Sequence, residues 1–161
     1  MLRKLMDKDA PYMLEWMHDV DITSGFQKPF ADATLDIVLK FIHNSFDSVN
    51  QHFAYVNESD EYMGTISLKE ISHMNDKAEY AVVFRRCAMG TGMAKLATEE
   101  LLAYAFGELQ LHKVYLSVLE ENIRARKFYE KCGFKREGLE IDAVKINGKY
   151  HNHIWYGIVN S

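Results

Sequence analysis

The chain has 161 residues, of which 48% are hydrophobic and 26% are charged, and it contains only 2 prolines and 9 glycines. This composition is typical of a folded globular protein and excludes collagen-like or low-complexity sequence. Nineteen basic and 23 acidic residues give a net charge of -4, and the densest basic stretch, at 124–131, alternates with apolar residues on a predicted helix. We therefore expect no nucleic-acid partner.

Targeting and redox signals are absent from the sequence. No apolar run approaches the roughly 20 residues that a membrane span requires, and the N-terminal residues lack the apolar core of a signal peptide. Cys87 and Cys132 form neither a CxxC motif nor a disulfide framework. We expect a protein of the reducing cytoplasm without a membrane partner, and because no linker or repeat is visible, a single domain over 1–161.

The first third of the chain predicts one strand and two helices. Residues 2–5 predict a short strand, and residues 9–18, which begin Asp-Ala-Pro, predict a capped helix. Residues 21–31 are expected to form a loop. A cap at Asp32 or Thr34 begins a helix whose apolar residues recur at helical spacing: Leu35, Val38, Leu39, Ile42 and Phe46.

The rest of the chain predicts strands interrupted by two helices. A long amphipathic helix follows Gly92, and a second begins at the capping residue Asn122 and ends near Gly133. Six stretches have the apolar or alternating pattern of strands, and an Asn-Gly turn joins the last two: 53–56, 62–68, 79–84, 114–118, 135–143 and 150–159. The order of these elements predicts an α/β (α+β mixed) fold with a mixed sheet.

A glycine loop, Arg85-Arg-Cys-Ala-Met-Gly-Thr-Gly92, joins a buried strand to the long helix. Glycines at such a junction let backbone N–H groups approach a phosphate, and the helix dipole adds about half a positive charge there. By itself the pattern also fits a plain tight turn. It is neither a Walker loop nor a complete dinucleotide fingerprint, since Lys95 stands at the third glycine position, and this disfavours ATP and NAD.

A second motif follows about thirty residues later. Asn122, Ala125, Tyr129 and Gly133-Phe134 form the pattern Asn-x-x-Ala-x-x-x-Tyr-x-x-x-Gly-Phe. With both motifs in this order, the chain resembles the GCN5-related N-acetyltransferase (GNAT) superfamily, including ribosomal-protein-type N-acetyltransferases and the aminosugar N-acetyltransferases of pseudaminic acid synthesis. The resemblance implies a GNAT-like acyl-CoA N-acyltransferase fold, in which a mixed, mostly antiparallel sheet is splayed between two parallel strands and flanked by helices.

The resemblance also implies acetyl-CoA as cosubstrate, bound in the opening between the splayed strands. The pantetheine arm is expected along the backbone of Tyr80, Ala81 and Val82. Asn122 matches the family's asparagine near the cofactor, and Tyr129 matches the tyrosine that protonates the departing CoA thiolate. The positions that match the pyrophosphate loop are Ala88, Met89, Gly90, Thr91, Gly92 and Met93.

Two departures from the family pattern concern charge and proton transfer. Cys87 stands where the family usually has Gln or Arg, which leaves Arg85 or Arg86 to supply a charge beside the backbone amides. Ser117 stands where some ribosomal-protein N-acetyltransferases carry a glutamate base. An amine must lose a proton before it attacks a thioester. Among the carboxylates we take Glu79 as the first candidate base and Glu120 as the second.

The acceptor amine stays open at the level of sequence. A protein N-terminus and a small-molecule amine are both compatible, and a nucleotide aminosugar is the alternative, which the net negative charge slightly disfavours. A non-catalytic CoA-binding or interaction module is the alternative of another class. The residues of the first third that are expected to line the acceptor cleft are Trp16, Met17, Asp19, Phe26 and Phe30.

The last two strands carry two further features. His151 and His153 alternate on one strand face, but no third ligand of suitable spacing accompanies them, so no metal site is predicted. A contact with substrate or a plain surface pair is the expected role of these histidines. The strands also offer a free sheet edge, which makes a homodimer possible.

Overall fold

The fold is a single seven-stranded sheet with helices on both faces, described over residues 1–161 by a computed structural model. The strands are β1 (Leu2–Lys4), β2 (Gln51–Val56), β3 (Tyr62–Ser72), β4 (Lys77–Phe84), β5 (Lys113–Leu119), β6 (Lys135–Ile146) and β7 (Lys149–Val159). Their spatial order is β1-β2-β3-β4-β5-β7-β6. All neighbours are antiparallel except β4 and β5, which are parallel. The predicted mixed, mostly antiparallel sheet is confirmed.

Five α-helices connect the strands: α1 (Ala10–Met17), α2 (Val20–Thr23), α3 (Leu35–His43), α4 (Met93–Gly107) and α5 (Ile123–Lys131). Both long motif helices, α4 and α5, lie where the sequence predicts them. None of the five has the length and apolarity that crossing a lipid bilayer demands.

Two expectations for the first third need correction. The stretch 21–31 is not entirely a loop, because the Asp19 side chain accepts the backbone N–H of Asp21 and caps the short helix α2. At the next helix Thr34 is the cap, through the N–H of Ile37. Helix α3 ends at His43, so Phe46 lies beyond it and forms an isolated bridge to Gln51.

The two sheet faces are packed differently, and this decides which side chains can meet. Helices α4 and α5 cover one face over the larger hydrophobic cluster, which includes Ala78 and Tyr80 of β4. Helices α1 and α3 cover the opposite face over a smaller cluster that includes Met13 and Val38. Because successive strand residues point to opposite faces, Glu79 points to the α1 and α3 side.

The last two strands form a long hairpin at the end of the sheet. Asn147 and Gly148 both have positive φ, 51° and 80°, as the predicted two-residue turn requires. Strand β6 continues to Ile146, three residues beyond its predicted end, and it is the edge strand of the sheet.

Candidate active site

The parallel strands β4 and β5 separate after a short paired segment. Only three residue pairs join them, and the last is Glu79 with Tyr115. From Tyr80 onward β4 pairs only with β3, while β5 pairs with β7 over its whole length. Backbone groups of residues 80–84 therefore face an opening, where an extended molecule with amide groups can pair as an added strand.

The glycine loop stands at the top of this opening and begins α4. Gly90 and Gly92 have φ of 76° and 83°, a region that side-chain-bearing residues rarely adopt. The backbone N–H groups of Gly90, Gly92, Ala94 and Lys95 donate to no acceptor within the protein. Unpaired N–H groups at a helix N-terminus are the donors that a diphosphate needs, so the predicted loop 88–93 suits this part of CoA.

Neither arginine before the loop is free to replace the missing family residue at Cys87. Arg85 is buried and its guanidinium binds Glu15 at 2.9 Å and Glu61 at 2.8 Å. Arg86 binds the capping carboxylate Asp19 at 2.7 Å and also Asp21. The expectation that one of them offers a charge to the phosphates is therefore not supported, and backbone donors remain.

Two tyrosines meet at the base of the opening, and only one has a free hydroxyl. Tyr129 of α5 packs edge-on against Tyr80 of β4, with ring centroids 5.9 Å apart. The Tyr80 hydroxyl is bound to Thr98 at 2.7 Å. The Tyr129 hydroxyl has no partner in the protein and is not completely buried, so it keeps some contact with solvent. Burial of its ring, with a smaller effect of Cys132, raises the pKa of Tyr129 to about 12.

The remaining predicted site residues lie around the same opening in different roles. Asn122 caps α5, since its side-chain oxygen accepts the N–H of Ala125 at 3.2 Å, and its amide nitrogen has no partner. Glu79 ends the paired segment of β4, with its carboxylate 3.8 Å from the ammonium of Lys69. Glu120, the second candidate base, instead accepts the side-chain amide of Asn152 and ties β5 to β7.

A cleft of about 350 Å³ lies beyond the end of β5. This open cleft is bordered by the segment after α2, the end of β5 and the β6–β7 turn, and its lining residues are Ser24, Gly25, Leu119, Glu121, Ile146, Asn147, Lys149 and His151. The only carboxylate in the lining, Glu121, is bound to His151 at 2.6 Å. The only ammonium in the lining, Lys149, makes no salt bridge.

Sequence reasoning located this cleft only in part. Trp16 and Met17, predicted to line it, are buried in the core, and the Trp16 indole donates to Tyr62. Phe26 and Phe30 pack edge-to-face against each other and are not in the lining. From the hairpin the sequence predicted only His151, as a substrate contact or a surface residue, and it missed Ile146, Asn147 and Lys149.

Comparison with known proteins agrees with this geometry. The family model described as acetyltransferase (GNAT) domain matches residues 1–135. The chain is 32% identical to spermidine N(1)-acetyltransferase of Vibrio cholerae over 154 residues, 94% of this chain and 87% of that one. It is 33% identical to spermidine N(1)-acetyltransferase of Escherichia coli K12 over 149 residues, covering 88% and 77% of the two chains.

The solved structures agree as well. The crystal structure of spermidine N-acetyltransferase from Vibrio cholerae in complex with CoA and spermine matches with a TM-score of 0.89 at 28% identity, covering 99% of this chain and 94% of that one. Strands β4 and β5, the glycine loop and helix α5, which carries Tyr129, therefore belong to a fold that this solved structure shares. The chain belongs to the acetyltransferase (GNAT) family and is an enzyme that transfers the acetyl group of acetyl-CoA to an amine.

Proposed function

We propose that the amine attacks acetyl-CoA directly in the opening between β4 and β5. The pantetheine arm lies along the backbone of Tyr80, Ala81 and Val82, the pyrophosphate lies on the loop 88–93, and Asn122 lies beside the cofactor. The observation that carries this proposal is the hydroxyl of Tyr129, which has no hydrogen-bond partner and lies beside Tyr80, the first residue of β4 that no longer pairs with β5. Acetyl-CoA supplies the activated thioester, and the protein supplies the orientation and the proton transfers.

Tyr129 acts on the leaving sulfur. Because its pKa is raised to about 12, its hydroxyl is protonated at neutral pH and available to donate. A free thiol has a pKa of about 8.5, and the burial that weakens the phenol as an acid also raises the pKa of a thiol held beside it. The hydroxyl therefore stabilises the developing thiolate with a hydrogen bond and passes it a proton, while the amine loses its own proton to a base.

Glu79 is the proposed proton acceptor for the attacking amine. It lies where the paired segment ends, on the face opposite Tyr129, so acid and base approach the thioester from different sides. We expect Glu79→Gln to remove one ionisation from the pH profile of kcat/KM and to lower its plateau by about 10²-fold.

The matched control for that variant is Glu120→Gln. A glutamine at position 120 keeps the bond to Asn152, so the profile is expected to stay unchanged. The measurement is the release of CoA thiol between pH 6 and pH 10. An unshifted profile for the variant at 79 removes Glu79 from this role, and a shift for the variant at 120 transfers the role to Glu120.

The acceptor is proposed to be a small-molecule primary amine held in the cleft beyond β5. A polyamine of the spermidine type is the first candidate, supported by the relatives whose names specify spermidine and by their alignment over most of the chain. Polyamines bind through carboxylates, and Glu121 is the lining residue that can bind a second ammonium.

An amine that carries phosphate, such as a nucleotide aminosugar, is the second candidate. The charges of the cleft favour it, because Lys149 has no carboxylate partner and the charge of Glu121 is already shared with His151. A polycation would meet an unpaired ammonium there, whereas a phosphate would be attracted to it.

One substitution separates the two candidates. Spermidine, glucosamine and glucosamine 6-phosphate are compared by CoA release, with mass spectrometry of the products. If the acceptor is a polyamine, Lys149→Glu is expected to raise kcat/KM for spermidine about tenfold. If the acceptor carries phosphate, the same substitution is expected to lower kcat/KM for glucosamine 6-phosphate by a similar factor. If the protein acetylated none of these small amines, or acetylated only a peptide N-terminus, the proposed acceptor class would be contradicted.

Residues 1–161 are proposed to act as one domain in the cytoplasm, where acetyl-CoA is available. Support for one domain comes from the sheet, which links strands from β1 to β7 without interruption.

We also propose self-association through the edge strand β6, on which Leu139 and Ile141 are exposed. The similar Vibrio cholerae spermidine N-acetyltransferase has a structure described as dodecameric, with a TM-score of 0.78. A monomer mass in light scattering at micromolar concentration would contradict this.

A further inference from the structure

A buried chain of hydrogen bonds begins at Tyr80 and ends inside α4. The Tyr80 hydroxyl lies 2.7 Å from the hydroxyl of Thr98, and the Thr98 hydroxyl lies 2.8 Å from the carbonyl oxygen of Ala94. A carbonyl can only accept, so Thr98 gives its single proton to Ala94. Tyr80 must then donate to Thr98, and the direction of both bonds is determined.

This chain fixes the ring of Tyr80 between two structural elements. Tyr80 is 3% exposed and Thr98 is fully buried, so neither bond competes with water. Thr98 lies in the second turn of α4, the helix whose first N–H groups face the pyrophosphate loop. Strand β4 and helix α4, which are both proposed to hold acetyl-CoA, are thus joined at Tyr80.

The Tyr80 ring also packs directly against the ring of Tyr129. The two rings are nearly perpendicular, at 86°, with centroids 5.9 Å apart, and Phe134 packs against both. The Tyr129 hydroxyl has no hydrogen bond of its own that could orient it. Its direction is therefore set by the rings around it, and Tyr80 is the ring that is anchored to the cofactor-side helix.

We infer that Tyr80 and Thr98 are positioning residues, which hold the Tyr129 hydroxyl in line with the leaving sulfur by fixing the Tyr80 ring against α4. This inference rests on the proposed role of Tyr129. Tyr80 itself donates no proton to the reaction, because its hydroxyl proton is already bound to Thr98. A displacement of about 1 Å at a reacting group can cost on the order of 10²-fold in rate, so a small tilt of the Tyr80 ring has a measurable effect.

The variants remove the anchor and leave the packing in place. Tyr80→Phe keeps the ring and leaves Thr98 bonded to Ala94, and Thr98→Val keeps the volume without the hydroxyl. Each is expected to lower kcat about tenfold with the KM for acetyl-CoA unchanged. Thr98→Ser restores a hydroxyl at the same position and is expected to recover most of the activity.

Tyr104→Phe is the matched control. The Tyr104 hydroxyl, also on α4, makes a bond of the same length, 2.7 Å, to Gln51. This variant is expected to lose stability comparably to Tyr80→Phe in thermal unfolding but to keep kcat, which separates a general effect of a lost hydrogen bond from positioning of the acid.

A double-mutant cycle with Tyr129→Phe decides the inference. If Tyr80 acts through the Tyr129 hydroxyl, Tyr80→Phe changes kcat less than twofold once that hydroxyl is absent. An undiminished tenfold loss in that background overturns the inference, as does an unchanged kcat for Tyr80→Phe in the parent enzyme. If Tyr129→Phe alone has no effect on kcat, it is the proposed function of Tyr129 that fails.

Discussion

Replacing Tyr129 by phenylalanine is expected to lower kcat by about 10²- to 10⁴-fold, the usual contribution of a positioned general acid. The ring contacts with Tyr80 and Phe134 are kept, and the lost hydroxyl has no partner in the protein. Stability and acetyl-CoA affinity are therefore expected to change little. Steady-state kinetics gives the rate, and calorimetric titration with CoA gives the affinity.

The pH dependence adds a second check on Tyr129. Burial holds its pKa at about 12, above the ordinary value of 10, so the phenol keeps its proton from pH 7 to pH 10. Its ionisation is then expected to cause no fall in kcat in that range. A fall centred near pH 8 to 9 that disappears in Tyr129→Phe would contradict the assignment. If Tyr129→Phe weakened CoA binding by the same factor as it lowered kcat, Tyr129 would instead have a binding role.

Gly64→Ala is expected to destabilise the fold and to weaken acetyl-CoA binding together. A methyl group at Gly64 would lie 2.6 Å from the carbonyl oxygen of Val83 and 2.7 Å from the ring of Phe84. Both residues belong to the part of β4 that does not pair with β5, so β4 must shift next to residues 80–82, along which the pantetheine arm is proposed to lie. Overpacking of this kind costs about 1–3 kcal/mol. Urea unfolding measures the free energy, and KM for acetyl-CoA measures the displacement.

Gly107→Ala is the control for that substitution. Position 107 ends α4, and an added methyl group there meets no atom within 4 Å. Alanine favours a helix over glycine by up to about 1 kcal/mol, so stability is expected to stay equal or rise. If Gly64→Ala proved as harmless as Gly107→Ala, the close contact between β3 and β4 would not hold in solution.

The positions of the proposed site residues in the fold were predictable from sequence because these residues are local in the chain. The pyrophosphate loop depends on glycines within one turn and on the helix that follows them. The motif from Asn122 to Phe134 depends on helix spacing and on the left-handed Gly133, which has φ of 98°. Local signals of this kind survive without tertiary information, so loop 88–93, Asn122 and Tyr129 are where the sequence predicts them.

The cleft beyond β5, which is proposed to hold the acceptor, was less predictable because segments that are distant in the chain build it. Ser24 and Gly25 lie beside Glu121 and the turn at Asn147 in a sheet in which β7 stands between β5 and β6. The aromatic residues of α1 have an apolar pattern that fits a pocket and a core equally well. Packing on the sheet buried Trp16, and no spacing in the sequence distinguishes these outcomes.

By itself the sequence determined the family, the cosubstrate class and the tyrosine of the second motif, because these depend on backbone conformation and spacing within short segments. The tertiary structure alone decided which of two adjacent tyrosines has a free hydroxyl, and that Arg85 and Arg86 are bound by carboxylates. It also decided that Lys149 lines the cleft beyond β5 without a carboxylate partner. Each of these depends on side chains far apart in the chain that meet when the sheet forms, so the partner of each charge and hydroxyl is a property of the packed fold.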